Sequence, residues 1–326
     1  MPANLGPQYL AAEEHHRQAI TDEEKLAALE EMMQTIPKHK GTEKMQADIK
    51  RRMAKAREGI RSGGWKGARR KELFRIDKEG AGQIAMAGPP NSGKSQILKA
   101  MTRAEPLVAD YPFTTRLPLP GMAQFENVQI QLIDMPPIAE ETSQTWLWAV
   151  LRLADALLIV LDAGDDDVLT QAEELLEFMR SNNVFVKNQD ERTFNEKKAL
   201  CVAAKCDLPG AADRVELLRG VLGDRMAVLP ASAVTGEGLD RLAAGMFFDL
   251  LGKIRVYTHP PGKKVDFSSP FVLEAGTTVL GAAREIHKEI ADTLKYARVW
   301  GKVVFEGQMV QRDHILSDGD VIVFYT

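Results

Sequence analysis

Cysteine is nearly absent from this chain: Cys201 and Cys206 are the only two in 326 residues. They cannot build a disulfide framework, and the Val-Ala-Ala-Lys between them is not a metal-ligand spacing. A reduced, cytoplasmic setting is the resulting expectation. Long apolar runs are missing too; the longest, near Ala156 to Leu161, is strand-sized. A membrane-spanning helix needs about 20 apolar residues, so no membrane partner is expected. No apolar stretch follows the first Met as a secretory signal would require. Histidines are scattered: His259, His287 and His314 have no paired nucleophile, so they read as structural or solvated. Internal repeats and low-complexity tracts are likewise lacking.

Neither sign of charge dominates, with a formal net charge of −4, but the average conceals a split. Between Lys38 and Arg75 stand fourteen Lys/Arg against four Asp/Glu, a local balance of +10 that leaves −14 for the remainder. An acidic body with a basic N-terminal arm suits a polyanionic partner.

The most informative segment is Gly88-Pro89-Pro90-Asn91-Ser92-Gly93-Lys94-Ser95, which fits the phosphate-binding pattern G-x-x-x-x-G-K-[ST]. A turn of backbone N–H groups must wrap a polyphosphate, and glycines at both ends permit the wrap. Lys94 then supplies a cation to the β/γ-phosphates, and the Ser95 hydroxyl reaches Mg²⁺. The flanks agree. Gln83–Ala87 reads as a short buried strand, and Ser95 to Arg103 as a helix whose N-terminus faces the anion.

Three regions follow, at 1–80, 81–252 and 253–326. In the first, Thr21-Asp22-Glu23-Glu24 is a capping box opening a helix with Leu26, Leu29, Met33 and Ile36 on one face. Pro37 to Gly41 breaks it. Thr42 can cap a second helix with a stripe of Met45, Ile49, Met53 and Ile60, which makes a basic helical hairpin. Gly63 to Gly67 reads as a flexible connection.

The second region alternates strands, at Gln83–Ala87, Val128–Ile133, Ala156–Leu161, Ala199–Ala203 and Met226–Leu229, with helices such as Val168–Arg180 and Ala212–Leu222. That alternation predicts an α/β fold, a mostly parallel sheet with helices on both faces. The third has strands at Arg255–Thr258, Phe271–Leu273, Arg298–Trp300, Val303–Val304 and Val321–Tyr325 around one helix, Val279–Leu294. A small sheet packed on one helix is the expectation there.

After the phosphate loop come Tyr111-Pro112-Phe113-Thr114-Thr115, Asp134-Met135-Pro136-Pro137, Ala204-Lys205-Cys206-Asp207 and Ser232-Ala233. Their order resembles the sequence elements of translation-factor-class GTPases, and most closely the Obg/Drg group. Arg312-Asp313-His314 and Asp318-Gly319-Asp320-Val321 resemble the end of Drg-type chains. The resemblance runs from about Leu26 to the C-terminus. It implies a P-loop NTPase G domain after an N-terminal helical region and before a β-grasp TGS domain. The long insertion of Drg G domains has no counterpart here.

The resemblance also implies roles. Residues Gly88, Pro89, Pro90, Asn91, Ser92, Gly93, Lys94, Ser95 and Gln96 would cradle the phosphates of GTP or GDP. Thr115, with Thr114 as the adjacent candidate, would close on Mg²⁺ and the γ-phosphate. Asp134 would hold Mg²⁺ through water, as a hard cation wants carboxylate oxygen. Asp207 would accept the paired N–H donors that distinguish guanine from adenine. Lys205 would lie across the base, and Ser232-Ala233 would meet the guanine oxygen. Asn91 matches the loop Asn that holds K⁺ in potassium-activated relatives, although it can equally serve only to brace the loop. Lys94, Thr115 and Asn91 are thus the catalytic candidates.

Two positions depart from the family. Pro137 stands where D-x-x-G has glycine, and it has no N–H to offer the γ-phosphate. Ala204 stands where N-K-x-D has asparagine, so an amide linking base site and phosphate loop is lost. Ile138 occupies the place of the water-orienting Gln of Ras-like enzymes. The expected activity is therefore slow Mg²⁺-dependent GTP hydrolysis. A non-hydrolysing nucleotide-binding scaffold is the alternative that Pro137 and Ala204 favour.

For the arm, Lys50, Arg51, Arg52, Lys55 and Arg57, followed by Arg69-Arg70-Lys71, form a phosphate-sized footprint without aromatic interleaving. Ribosomal or other structured RNA is the expected partner of 38–75 and of the TGS region; a protein docked on the N-terminal helices is the competitor. The TGS region is nearly neutral, with ten basic and nine acidic residues.

Overall fold

In this computed structural model the structure describes residues 9, 12–13, 22–36, 42–61, 76–102, 118–138, 145–186, 196–259, 265–286, 288–302, 305 and 307–326. The chain forms two units, Met1–Arg75 and Ile76–Thr326. Among the described residues no helix is long and apolar enough to cross a membrane.

The first unit contains α1 (Asp22–Thr35) and α2 (Glu43–Arg61). Leu29, Met32, Ile36 and Ile49 form its core with Tyr9 and Ala12, and Met33, Met45 and Met53 pack on the margin. The buried stripe of α1 is thus Leu29–Met32–Ile36, with Leu26 and Met33 at its borders. Steps of three and four residues keep side chains on one helical face. Thr42 is fully buried at the head of α2 and accepts a hydrogen bond from Gln46 Nε2 at 3.2 Å. Arg57 bridges back to Glu30 on α1 at 3.0 Å, while Lys50, Arg51 and Arg52 are exposed. Thr21, Gly63 to Gly67, Arg69-Arg70-Lys71 and the side chains of Lys55 and Ile60 lie outside the described residues.

The second unit starts with β1 (Gln83–Ala87), α3 (Lys94–Met101), β2 (Leu119–Phe125) and β3 (Val128–Asp134). Next come α4 (Thr145–Leu153), β4 (Ala156–Asp162), α5 (Val168–Ser181), and the short pair β5 (Phe185–Val186) and β6 (Glu196–Lys197). It continues with β7 (Ala199–Ala204), α6 (Ala211–Leu222), β8 (Val228–Ala231) and α7 (Leu239–Gly245), which runs into a π-helical turn, Met246–Leu250. The six-stranded sheet has the order β2-β3-β1-β4-β7-β8, and every pair in it is parallel except the β2–β3 hairpin. All five residues of β1 are buried, as are the first six of β4, which is what a sheet covered on both faces demands. The chain leaves β1 for β3 on one side and reaches β4 on the other. Ligand crevices form at the carboxyl ends of strands where such a sheet switches direction.

Three differences from the sequence reading have local causes. The edge strand β2 was not among the expected strands, because Pro118, Pro120 and Gly121 read as loop. Pro120 is tolerated at a sheet edge, where a strand needs its hydrogen bonds on one side only. The strand expected from Met226 begins at Val228; Met226 N–H instead donates to Leu222 O and closes the end of α6. Helix α4 is a further element without an expected counterpart.

The C-terminal sheet comprises β9 (Lys253–Thr258), β10 (Phe271–Glu274), β11 (Tyr296–Trp300), β12 (Gln308–Val310) and β13 (Asp320–Tyr325), in the order β10-β9-β13-β11-β12. It packs on α8 (Val279–Ile286) and α9 (Lys288–Thr293) through Ile254, Val256, Ala282, Leu294, Val299 and Ile322. These two helices cover 279–286 and 288–293 of the stretch expected as one helix from 279 to 294, and His287 between them lies outside the described residues. Val303–Val304 lies outside the described residues, and the strand paired with β11 is β12. Arg255 on β9 reaches into the turn between β2 and β3, where it meets Glu126 and Asn127.

Candidate functional site: a phosphate loop and an adjoining pocket

The loop between β1 and α3 is shaped by close approach. A Cβ on Gly88 would collide with the carbonyl oxygen of Val160 on β4, so glycine is needed there. Gly93 takes the left-handed conformation at φ 95°, and no side chain caps the helix that follows. The first N–H groups of α3 therefore remain available to an anion.

Lys94 is 5% exposed. Its Nζ donates to Gly88 O at 3.0 Å, Pro89 O at 2.8 Å and Ser92 Oγ at 3.2 Å. The ammonium is thus folded back onto the loop it would serve. Burial lowers its pKa to about 8, against the opposing pull of Asp134.

Asp134 ends β3, and Ser95 Oγ donates to its Oδ2. Burial raises the carboxyl above its usual range, while Ser95 and Lys94 pull it back. Its Oδ1 is buried without a hydrogen-bond partner among the described residues. A hydroxyl and a carboxylate, both hard oxygen donors, fit Mg²⁺. After Asp134 the chain is tied to the loop, since Ile138 N–H donates to Gly88 O at 3.1 Å. Met135 and Ile138 are buried, and Pro136 and Pro137 line the cleft.

That cleft holds about 510 Å³ and is bounded by the phosphate loop, Asp134 and Lys205. A second, much smaller pocket of about 10 Å³ adjoins it, where Asp207, Ser232, Ala233 and Val234 stand opposite Gln96 and Ile97. Gly93, Gln96 and Lys205 belong to both. Ser232 is fully buried, and its Oγ accepts the N–H groups of Val234 at 3.2 Å and Thr235 at 3.1 Å. These bonds hold the loop after β8 in a tight turn. Lys205 follows β7 in a left-handed conformation, φ 58°, that turns its side chain toward the phosphate loop.

The structure thus brings together Gly88, Pro89, Pro90, Asn91, Ser92, Gly93, Lys94, Ser95, Gln96, Asp134, Lys205, Asp207, Ser232 and Ala233 at one end of the sheet. Asn91 is also left-handed, φ 59°, and its carbonyl accepts Lys205 Nζ at 3.0 Å. Thr114 and Thr115 lie outside the described residues. One participant escaped the sequence reading: Asp162, whose Oδ2 accepts Lys205 Nζ at 2.6 Å. Its signal was present as a lone carboxylate closing an otherwise apolar strand.

The family pattern of 50S ribosome-binding GTPases matches residues 83–189, and that of the TGS domain matches residues 254–326. Over 92% of its length the chain is 29% identical to the developmentally-regulated GTP-binding protein 2 homolog of Dictyostelium discoideum, of which the match covers 98%. The chain resembles Obg/Drg-type GTP-binding proteins over most of its length. The same shares of each chain align with the human developmentally-regulated GTP-binding protein 2 at 26% identity. A GTP-binding protein of Methanocaldococcus jannaschii is 27% identical over 92% of both chains. Among solved structures, a GTP-binding protein from Pyrococcus horikoshii matches 75% of this chain and 99% of its own, with a TM-score of 0.50 at 16% identity, a likeness of fold.

Proposed function

We propose that this protein binds guanine nucleotide and hydrolyses GTP slowly with Mg²⁺, in the cytoplasm. One observation carries the reading: a small pocket lined by Asp207 shares Gly93, Gln96 and Lys205 with the phosphate cleft. The triphosphate would lie on the N-terminus of α3, and its base would fall beside the carboxylate that selects guanine. An adenine there would leave Asp207 facing the wrong pattern of donors. Ser95 and Asp134 would hold Mg²⁺, with Thr115 closing over it, and the ion supplies charge neutralisation at the β- and γ-phosphates.

Lys94 must exchange its loop carbonyls for phosphate oxygens, and with the loop amides it stabilises charge while water attacks in line. Turnover is slow because Ile138 cannot orient water and Pro137 has no N–H. Asn91 is the candidate for K⁺ binding. A second reading, a nucleotide-binding scaffold without hydrolysis, draws support from Pro136 and Pro137 and from the Ile138–Gly88 bond, which restrain the segment that would rearrange.

The basic stretch 38–75 and the TGS domain, with boundaries near 80 and 252, would dock the protein on ribosomes or structured RNA. The exposed Lys50, Arg51 and Arg52 and the ribosome-binding description of the matched family support this. A protein partner on α1 and α2 is the competing arrangement.

Calorimetry with GDP, GTP and ADP, followed by single-turnover hydrolysis in K⁺ and in Na⁺, tests the reading. Guanine-selective binding with measurable turnover, faster in K⁺, is the expected result. Tight GDP binding without turnover in either salt would replace the enzyme with the scaffold.

A further inference from the structure

The Ala204 position poses a specific question, because its side chain offers no donor to join the base loop to the phosphate loop. It abuts that loop closely: a Cβ on Gly93 would lie 3.5 Å from Ala204 Cβ. Something else must keep the two loops in register. We propose that Asp162 is a positioning residue that supplies this tie by fixing the Lys205 ammonium between β4 and the phosphate loop. The inference rests on the nucleotide-binding reading and deepens it.

The geometry is continuous from one loop to the other. Asp162 ends β4 directly opposite Ala204 in the parallel pairing with β7. Its Oδ1 accepts Gly164 N–H at 2.8 Å, which locks the carboxylate's orientation. Its Oδ2 accepts Lys205 Nζ at 2.6 Å, and the same Nζ donates to Asn91 O at 3.0 Å. Side-chain exposure is 16% for Asp162 and 31% for Lys205, so the pair is only partly screened. A lysine stem is flexible, and one carbonyl would hold it loosely. Two anchors on separate elements give it one position, with its stem along the base pocket. Charge-assisted hydrogen bonds are the stronger kind, which suits the task.

The test measures dissociation of a fluorescent GDP analogue by stopped flow. Asp162→Asn keeps an oxygen for Gly164 N–H and removes the charge. Dissociation should quicken roughly tenfold, as expected for loss of one hydrogen bond to a charged group. Adding Ala204→Asn to Asp162→Asn should restore most of that loss, while Ala204→Asn alone should change the parent less than about threefold. In a Lys205→Met background, Asp162→Asn should have no further effect.

An unchanged rate in Asp162→Asn, an equal effect of Ala204→Asn in both backgrounds, or an additive effect with Lys205→Met would each overturn the proposal. Asp162→Ser serves as a second variant. If neither variant folds by circular dichroism, Asp162 is a structural residue and the positioning role is wrong. If the parent binds no GDP, the nucleotide reading falls first; if it binds GDP and the variants match it, only this inference falls.

Discussion

Arg255 grips Asp318 in a two-pronged ion pair, Nε to Oδ1 at 3.0 Å and Nη2 to Oδ2 at 2.7 Å, and the arginine is only 7% exposed. The same guanidinium reaches Glu126 and Asn127 Oδ1 in the β2–β3 turn and lies 5.3 Å from the Phe125 ring centroid. Asn127 Nδ2 in turn donates to Tyr257 Oη at 2.7 Å and to Phe267 O at 2.8 Å. One cation thus joins the C-terminal sheet to the hairpin whose other end carries Asp134. The hydrogen bonds that Asp318 and Glu126 accept from it raise the arginine's pKa, those to Asp318 most, so it stays charged.

Arg255→Ala should therefore cost about 3 kcal/mol, because it removes Asp318's charged partner and opens space beside Phe125 and Phe247. For a unit of this size the melting temperature should fall by roughly 6–12 °C. Thermal unfolding followed by circular dichroism checks this; an unchanged midpoint would mean the clamp contributes nothing to stability.

Lys94 predicts a pH dependence. Its pKa of about 8 before binding means the ammonium predominates at neutral pH and is lost as pH rises through 8. Phosphate favours the charged form, so binding above pH 8 must take up a proton. GDP affinity should be flat below pH 7 and weaken above pH 8, approaching tenfold per unit. Titrations in two buffers of different ionisation enthalpy at pH 8.5 would register the proton. Lys94→Met should remove both the affinity and its pH dependence.

Burial acts on Asp134 in the opposite sense. Its carboxyl is raised, so it protonates earlier than an ordinary aspartate as pH falls. Magnesium-dependent tightening of GDP binding should fade on acidification before the fold is lost. Measuring affinity with and without Mg²⁺ between pH 7 and 4.5 separates the two events. Asp134→Asn should abolish the Mg²⁺ effect throughout that range.

Pro137→Gly restores a backbone N–H in the cleft. Single hydrogen-bond donors to transition-state charge are worth about 10²–10³ in rate, so an increase of at least tenfold in single-turnover hydrolysis is expected. GDP affinity should change little. A variant as slow as the parent would place the limit elsewhere, at Ile138 or at the Ile138–Gly88 bond.

Replacing the exposed Lys50, Arg51 and Arg52 by alanine tests the RNA proposal. If these cations neutralise phosphates, the slope of log affinity against log salt should shrink by about 2–3. An unchanged slope would remove the arm from the RNA surface and favour a protein partner there.

Much of this was legible in the chain because it is local. Gly88 to Ser95 spells out a wrap of backbone N–H groups, and the apolar runs Gln83–Ala87 and Ala156–Leu161 can only be buried strands. Where local signals conflicted with tertiary ones, local reading failed. Proline and glycine hid β2, since nothing in Pro118 to Gly121 reveals that β3 will offer one edge for pairing.

Contacts between distant segments followed a different logic. Residue types and spacing alone announce the phosphate loop, the α/β alternation and the departures at Pro137 and Ala204, because each depends on a few neighbouring side chains. Asp162 and Lys205 stand 43 positions apart, and Arg255 and Glu126 stand 129 apart. Their meeting awaited the folded sheet, where parallel crossovers bring the ends of β1, β4 and β7 together and seat β9 beside the β2–β3 turn. Burial of whole strands chooses those neighbours, and no local propensity can encode them.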